Sequence, residues 1–95
     1  MSRRLFGECE SGNLEEAKLM VLDGANVNMT NNDNFGETPL CIASWNGHLE
    51  IVKVLIASGA LLDKADNDGW TPLYIASWNG HLEIVKVLIA SGALL

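Results

Sequence analysis

The block IASWNGHLEIVKVLIASGALL, Ile42 to Leu62, recurs letter for letter from Ile75 to Leu95, which sets a period of 33 residues (75 − 42 = 33). A period in this range belongs to arrays of small supersecondary units, none of which can bury its apolar face alone; stacked neighbours make the core. The repeat therefore decides the fold class before any propensity argument, and it points to a scaffold whose partner is not spelled out in the chain.

Within each copy the local signals alternate between helix and turn. Thr38-Pro39-Leu40 and Thr71-Pro72-Leu73 place a hydroxyl at the N-cap and proline at the first helical position, where its missing N–H costs no helix bond. A helix of about two turns is predicted from each, running to Trp45 or Trp78. Asn46-Gly47 or Asn79-Gly80 stops it, because glycine accepts the left-handed conformation that closes a helix. A second helix is predicted from His48 or His81 through LEIVKVLIAS to Gly59 or Gly92. Its apolar residues, Leu49, Ile51, Val52, Val54, Leu55, Ile56 and Ala57, cover more than one face, so it must be sandwiched between neighbours. Glu50 and Lys53 mark its solvent side.

Between Gly59 and Thr71 the segment is rich in Asp, Asn and Gly and reads as an extended hairpin finger. The preceding finger is longer, 14 steps from Gly24 to Thr38 against 12 from Gly59 to Thr71, and the two added residues should bulge at the tip within Asn26 to Asn34. A diverged first unit is also legible. Gly12-Asn13-Leu14-Glu15 aligns with Gly47-His48-Leu49-Glu50 at an offset of 35, and its charged Arg3, Arg4, Glu8, Glu10, Glu15, Glu16 and Lys18 suit a face without a neighbour.

With 48% hydrophobic and 19% charged residues in 95, the chain suits one small folded unit. A net charge of −6, with only Arg3 and Arg4 adjacent, argues against a phosphate-binding surface and so against nucleic acid. No apolar run approaches a membrane span and no secretory h-region follows the arginines, so a cytoplasmic location without membrane contact is expected. On that expectation the sequon Asn28-Met29-Thr30 is idle. Cys9 and Cys41 lack redox or zinc spacing and are expected to be small buried thiols.

The combination of Gly-x-Thr-Pro-Leu, a small-residue helix, Asn-Gly-His-Leu-Glu, Val-x-x-Leu and Gly-Ala resembles the ankyrin repeat family over almost the whole chain. The resemblance implies an all-α ankyrin-repeat solenoid of stacked helix-turn-helix units with projecting β-hairpin loops. Its units would be an N-terminal capping repeat over about 1–28, a second repeat over 29–62 and a third over 63–95, with no evident C-terminal cap. It also implies a non-enzymatic module that binds a protein partner through fingertips and the exposed side of the first helices. Three departures stand out: Cys41 and Tyr74 occupy the place of the family's usual His, Leu61 and Leu94 replace a frequent Asp, and Leu94-Leu95 ends the sequence without a polar closing repeat. The letter-perfect copy is similar to designed ankyrin repeat proteins; a natural array with a recent duplication is the other origin.

The outward positions implied by that resemblance are Asn34, Phe35, Glu37, Trp45 and Asn46 in the second unit, and Asn67, Asp68, Trp70, Trp78 and Asn79 in the third. Their aromatic rings suit binding anchors, while Glu37, Asp66 and Asp68 favour a basic partner. Two other expectations concern the rings: Trp45 and Trp78 packing on each other across the junction, and Trp70, beside Gly69, open to solvent. The alternative function is a minimal or self-assembling scaffold, a homo-oligomer joined through Leu82, Val85, Ile89, Leu94 and Leu95 of the uncapped end. No nucleophile, base and orienter come together, and His48 and His81 match the family's helix start with no third ligand near, so no catalysis, metal or cofactor is expected.

Overall fold

Helices form where the sequence carries its caps. In the computed structural model, which describes residues 3–95, the elements are α1 (Arg4–Ser11), α2 (Leu14–Leu22), α3 (Pro39–Asn46), α4 (Leu49–Ala57), α5 (Pro72–Trp78) and α6 (Leu82–Ala90), with no strand among the described residues. Met1 and Ser2, the first residues of the predicted capping unit, lie outside the described residues. The Thr38 and Thr71 hydroxyls accept the backbone N–H of Cys41 and Tyr74, each at 3.2 Å, with Pro39 and Pro72 opening the helices. Gly47, at φ 77°, closes α3.

The second helices start one residue later than predicted. His48 and His81 are their N-caps, yet neither ring makes a capping bond, because each is turned toward the preceding repeat. These helices also end at Ala57 and Ala90, ahead of the glycines.

The helices stack in two layers. The first helices α1, α3 and α5 form one row and the second helices α2, α4 and α6 the other, each touching its counterpart in the next unit. Between the rows lies one core that includes Leu5, Cys9, Leu40, Ile51, Leu55, Ile84 and Leu88. Ile51 and Ile84, one period apart, are equally buried, so each repeat contributes the same brick to a continuous interior.

The fingers are hairpins closed by a few backbone bonds rather than by strands. In the first, the Asn31 N–H donates to the Glu37 carbonyl at 2.8 Å; in the second, Asp66 donates to Trp70 at 3.0 Å. The closure spans six steps in one and four in the other (37 − 31 against 70 − 66), so the two added residues sit at the tip, between Asn31 and Glu37. Thr30 to Asn32 and Asp66 to Asp68 supply the turn bonds that Asn and Asp side chains make readily.

Candidate functional site

Adjacent repeats are joined by buttons of backbone carbonyl and side chain. The His48 ring Nε2–H donates to the Glu10 carbonyl, and the His81 ring to the Trp45 carbonyl, both at 3.0 Å. Each ring fills a notch over a glycine: a Cβ on Gly47 would stand 2.7 Å from the His81 ring, and Gly12 faces His48 in the same way. Asn79 Nδ2 adds a second donor to the Trp45 carbonyl at 2.9 Å. The fingers are joined likewise, Asn67 N–H donating to the Phe35 carbonyl at 2.8 Å while its side chain covers Gly36. Both histidines thus hold units in register.

That register aligns the fingers beside the first helices and leaves a groove of about 590 Å³ between them. Phe6 and Glu10 of α1, Ile42, Trp45 and Asn46 of α3, Asn34, Phe35 and Glu37 of the first finger, and Asp66, Asp68 and Trp70 of the second line it. Seven of the ten sequence-predicted positions, Asn34, Phe35, Glu37, Trp45, Asn46, Asp68 and Trp70, therefore meet in one place. The other three lie outside: Asn67 and Asn79 join repeats, and Trp78 belongs to an aromatic cluster at the last unit. Phe6 was not singled out, and Glu10, expected on a face without a neighbour, lines the groove instead; the offset of 35 places it where Trp45 stands one unit later (45 − 10 = 35).

Two expectations about the tryptophans are corrected. Among the described residues Trp78 and Trp45 share no ring contact; Trp78 instead lies 6.3 Å from Trp70 and 6.5 Å from Tyr74, centroid to centroid. Trp70 is half-buried rather than open, because Tyr74 meets it edge-on at 5.1 Å. Tyr74, standing for the usual His, thereby turns that position into a packing residue. Phe35 and Trp45 are the open rings of the groove, 60% and 48% exposed.

Cys41, the other departure, reaches across to the next finger. Its thiol donates to the Lys64 carbonyl at 3.6 Å, with the Trp70 carbonyl at 4.0 Å. Burial, with the Asp66 and Glu37 charges acting against bonds to Thr38, pushes its pKa up. It stays a protonated donor rather than a nucleophile. Burial, helped by Glu8, pushes Cys9 further, to about 12. Both thiols are free and buried. Among the described residues no three His, Cys, Asp or Glu side chains are grouped to hold a metal, and no helix is long and apolar enough to cross a membrane.

A stack of helix pairs with fingers along one edge and a groove beneath them defines an α-helical repeat scaffold. The family model described as ankyrin repeats, three copies, matches residues 5–94, and the chain belongs to the ankyrin repeat family. It is also 36% identical over 56 residues, 59% of its length, to an ankyrin repeat-containing protein of Saccharomyces cerevisiae. That stretch is about 10% of the yeast protein. Ankyrin repeats generally serve as protein–protein interaction modules rather than enzymes.

Proposed function

We propose that this chain is a non-enzymatic interaction module that holds a segment of a protein partner in the groove, with Phe35 and Trp45 as anchors and Asn34, Glu37, Asn46, Asp68 and Trp70 around them. The single observation that carries this reading is that two large rings, Phe35 and Trp45, stand 60% and 48% exposed in a groove whose lining also includes the buried Phe6, Cys41, Ile42 and Ile75. Asn67, Trp78 and Asn79 act at its edge by setting the spacing of the walls. The surplus of carboxylates there favours a basic partner over nucleic acid.

A photo-crosslinking residue at position 34, inside the groove, should trap the partner, whereas one at position 53 on the outer row should not. Trp45→Ala and Phe35→Ala should each weaken capture about tenfold or more while helical circular dichroism is unchanged. Equal capture by both variants removes the reading.

A second reading, self-association through the last repeat, is favoured by comparing identical letters. Leu49 and Ile56 of α4 are half-buried and Val52 is buried, whereas their copies Leu82 and Ile89 are 60% and 47% exposed and Val85 is half-buried. Gly80, the copy of the Gly47 notch, has nothing within 4 Å of a built Cβ. A second molecule covering Leu82, Val85, Ile89, Leu94 and Leu95 would make the chain a self-assembling scaffold. Light scattering across a concentration series tests it; a constant monomer mass ends it.

A further inference from the structure

The groove is one-sided in its chemistry. Glu10 from α1, Glu37 from the first finger, and Asp66 and Asp68 from the second bring carboxylates to its wall from three separate elements, and no Lys or Arg lines it. The cations nearest in sequence are engaged elsewhere: Lys64 donates to the Asn28 carbonyl at 3.1 Å, Arg3 pairs with Asp33, and Arg4 stands 3.7 Å from Glu8. Two carboxylates are held in place by donors from their own finger. Glu37 accepts from the Phe35 N–H and from Asn34 Nδ2, each at 3.2 Å, and Asp66 Oδ1 accepts the N–H groups of Asp68 and Trp70 at 2.9 and 3.0 Å. The carboxylates of Glu10, on α1, and Asp68, on the second finger, have no protein donor among the described residues.

A carboxylate only accepts hydrogen bonds, so an occupant must bring donors, and it must bring positive charge to offset four like charges. It must also cover Phe35 and Trp45. A compact metal ion fits poorly, since among the described residues no three His, Cys, Asp or Glu side chains are gathered to hold one. A guanidinium fits well: it is planar, carries five N–H donors in a fixed fork, stays charged, and stacks on aromatic faces, while its methylene stem lies on apolar surface such as Ile42. An ammonium has three donors around a point and stacks less well.

We infer that the groove takes an arginine side chain, presented on an extended segment of another protein, as its anchor. The inference rests on the groove being the binding surface and adds what that surface selects. The guanidinium lies against Trp45 and Phe35, and its donors meet lining carboxylates, Glu10 and Asp68, that have no donor of their own.

Four peptides of the form acetyl-Gly-Ala-Xaa-Ala-Gly-amide, with Xaa as arginine, lysine, citrulline or norleucine, are titrated into the isotope-labelled full chain. The amide of Phe35 and the indole N–H groups of Trp45 and Trp70 are followed by NMR. The arginine peptide should move these signals saturably, about tenfold more tightly than lysine or citrulline, with affinity falling as salt rises. Glu10→Gln with Asp68→Asn, both at exposed positions, should erase that preference and leave the spectrum otherwise folded. Lysine or citrulline matching arginine, or norleucine binding as well, overturns the arginine inference and leaves the groove as the binding surface. No shift with any of the four removes both.

Discussion

The imidazole of His81 donates to the main-chain carbonyl of Trp45 at 3.0 Å, so the residue that offers its ring to the groove also has its backbone fastened by the following repeat. Positioning of the Trp45 ring and cohesion of the stack are one arrangement. Loosening the second should move the first.

That fastening can be weighed by paired substitution at two glycines of similar backbone. Gly47 and Gly80 have φ 77° and 73°, so alanine meets the same left-handed penalty at both; only at Gly47 does the new Cβ also strike a histidine ring. Urea unfolding followed by circular dichroism should show Gly47→Ala losing about 1–2 kcal/mol more than Gly80→Ala. Equal losses mean that the notch contributes nothing.

A second pair isolates the value of a neighbour. Ile56 and Ile89 sit in identical helices, but the first is half-buried while the second is 47% exposed. Ile56→Ala should cost about 1 kcal/mol more than Ile89→Ala at low protein concentration. If the molecule self-associates through α6, the difference shrinks as concentration rises.

The buried caps give a third expectation. Thr38 is almost wholly buried and its hydroxyl supplies the Cys41 N–H with a partner, so Thr38→Ala leaves that donor without one inside the protein. A loss of about 1–2 kcal/mol is expected, against a few tenths for Thr38→Ser, read from the thermal midpoint.

The fourth concerns alkaline pH. Folding raises the Cys9 pKa from 9.0 to about 12, chiefly through burial, so above pH 9 the unfolded chain has released a proton that the folded chain still holds. The stabilising effect is whole below pH 9 and is lost as pH rises toward 12, at up to about 1.4 kcal/mol per pH unit. Stability measured between pH 8 and 11 should fall less steeply for Cys9→Ala than for the parent, whatever that variant's starting stability.

The stack itself was legible because its signals are local and repeated: Thr-Pro at each first helix, Gly after it, and apolar letters too widely spread for a single face. The groove was legible only by half. Trp45 and Phe35 could be placed from the family's pattern, but Glu10 lies in a diverged unit whose letters carry the alignment only weakly, and its role depends on α1 standing one step along the stack. Trp70 and Trp78 were misread for a related cause. Their surroundings depend on Tyr74, a departure from the usual letter, and side-chain packing around a substituted position is not written in the repeat period.

The two extra residues between Asn31 and Glu37 make the first finger longer at its tip than the second. Both fingers contribute residues to the same groove, so its finger side is uneven although the helices beside it repeat. Translation along the stack thus copies the helices and not the rim.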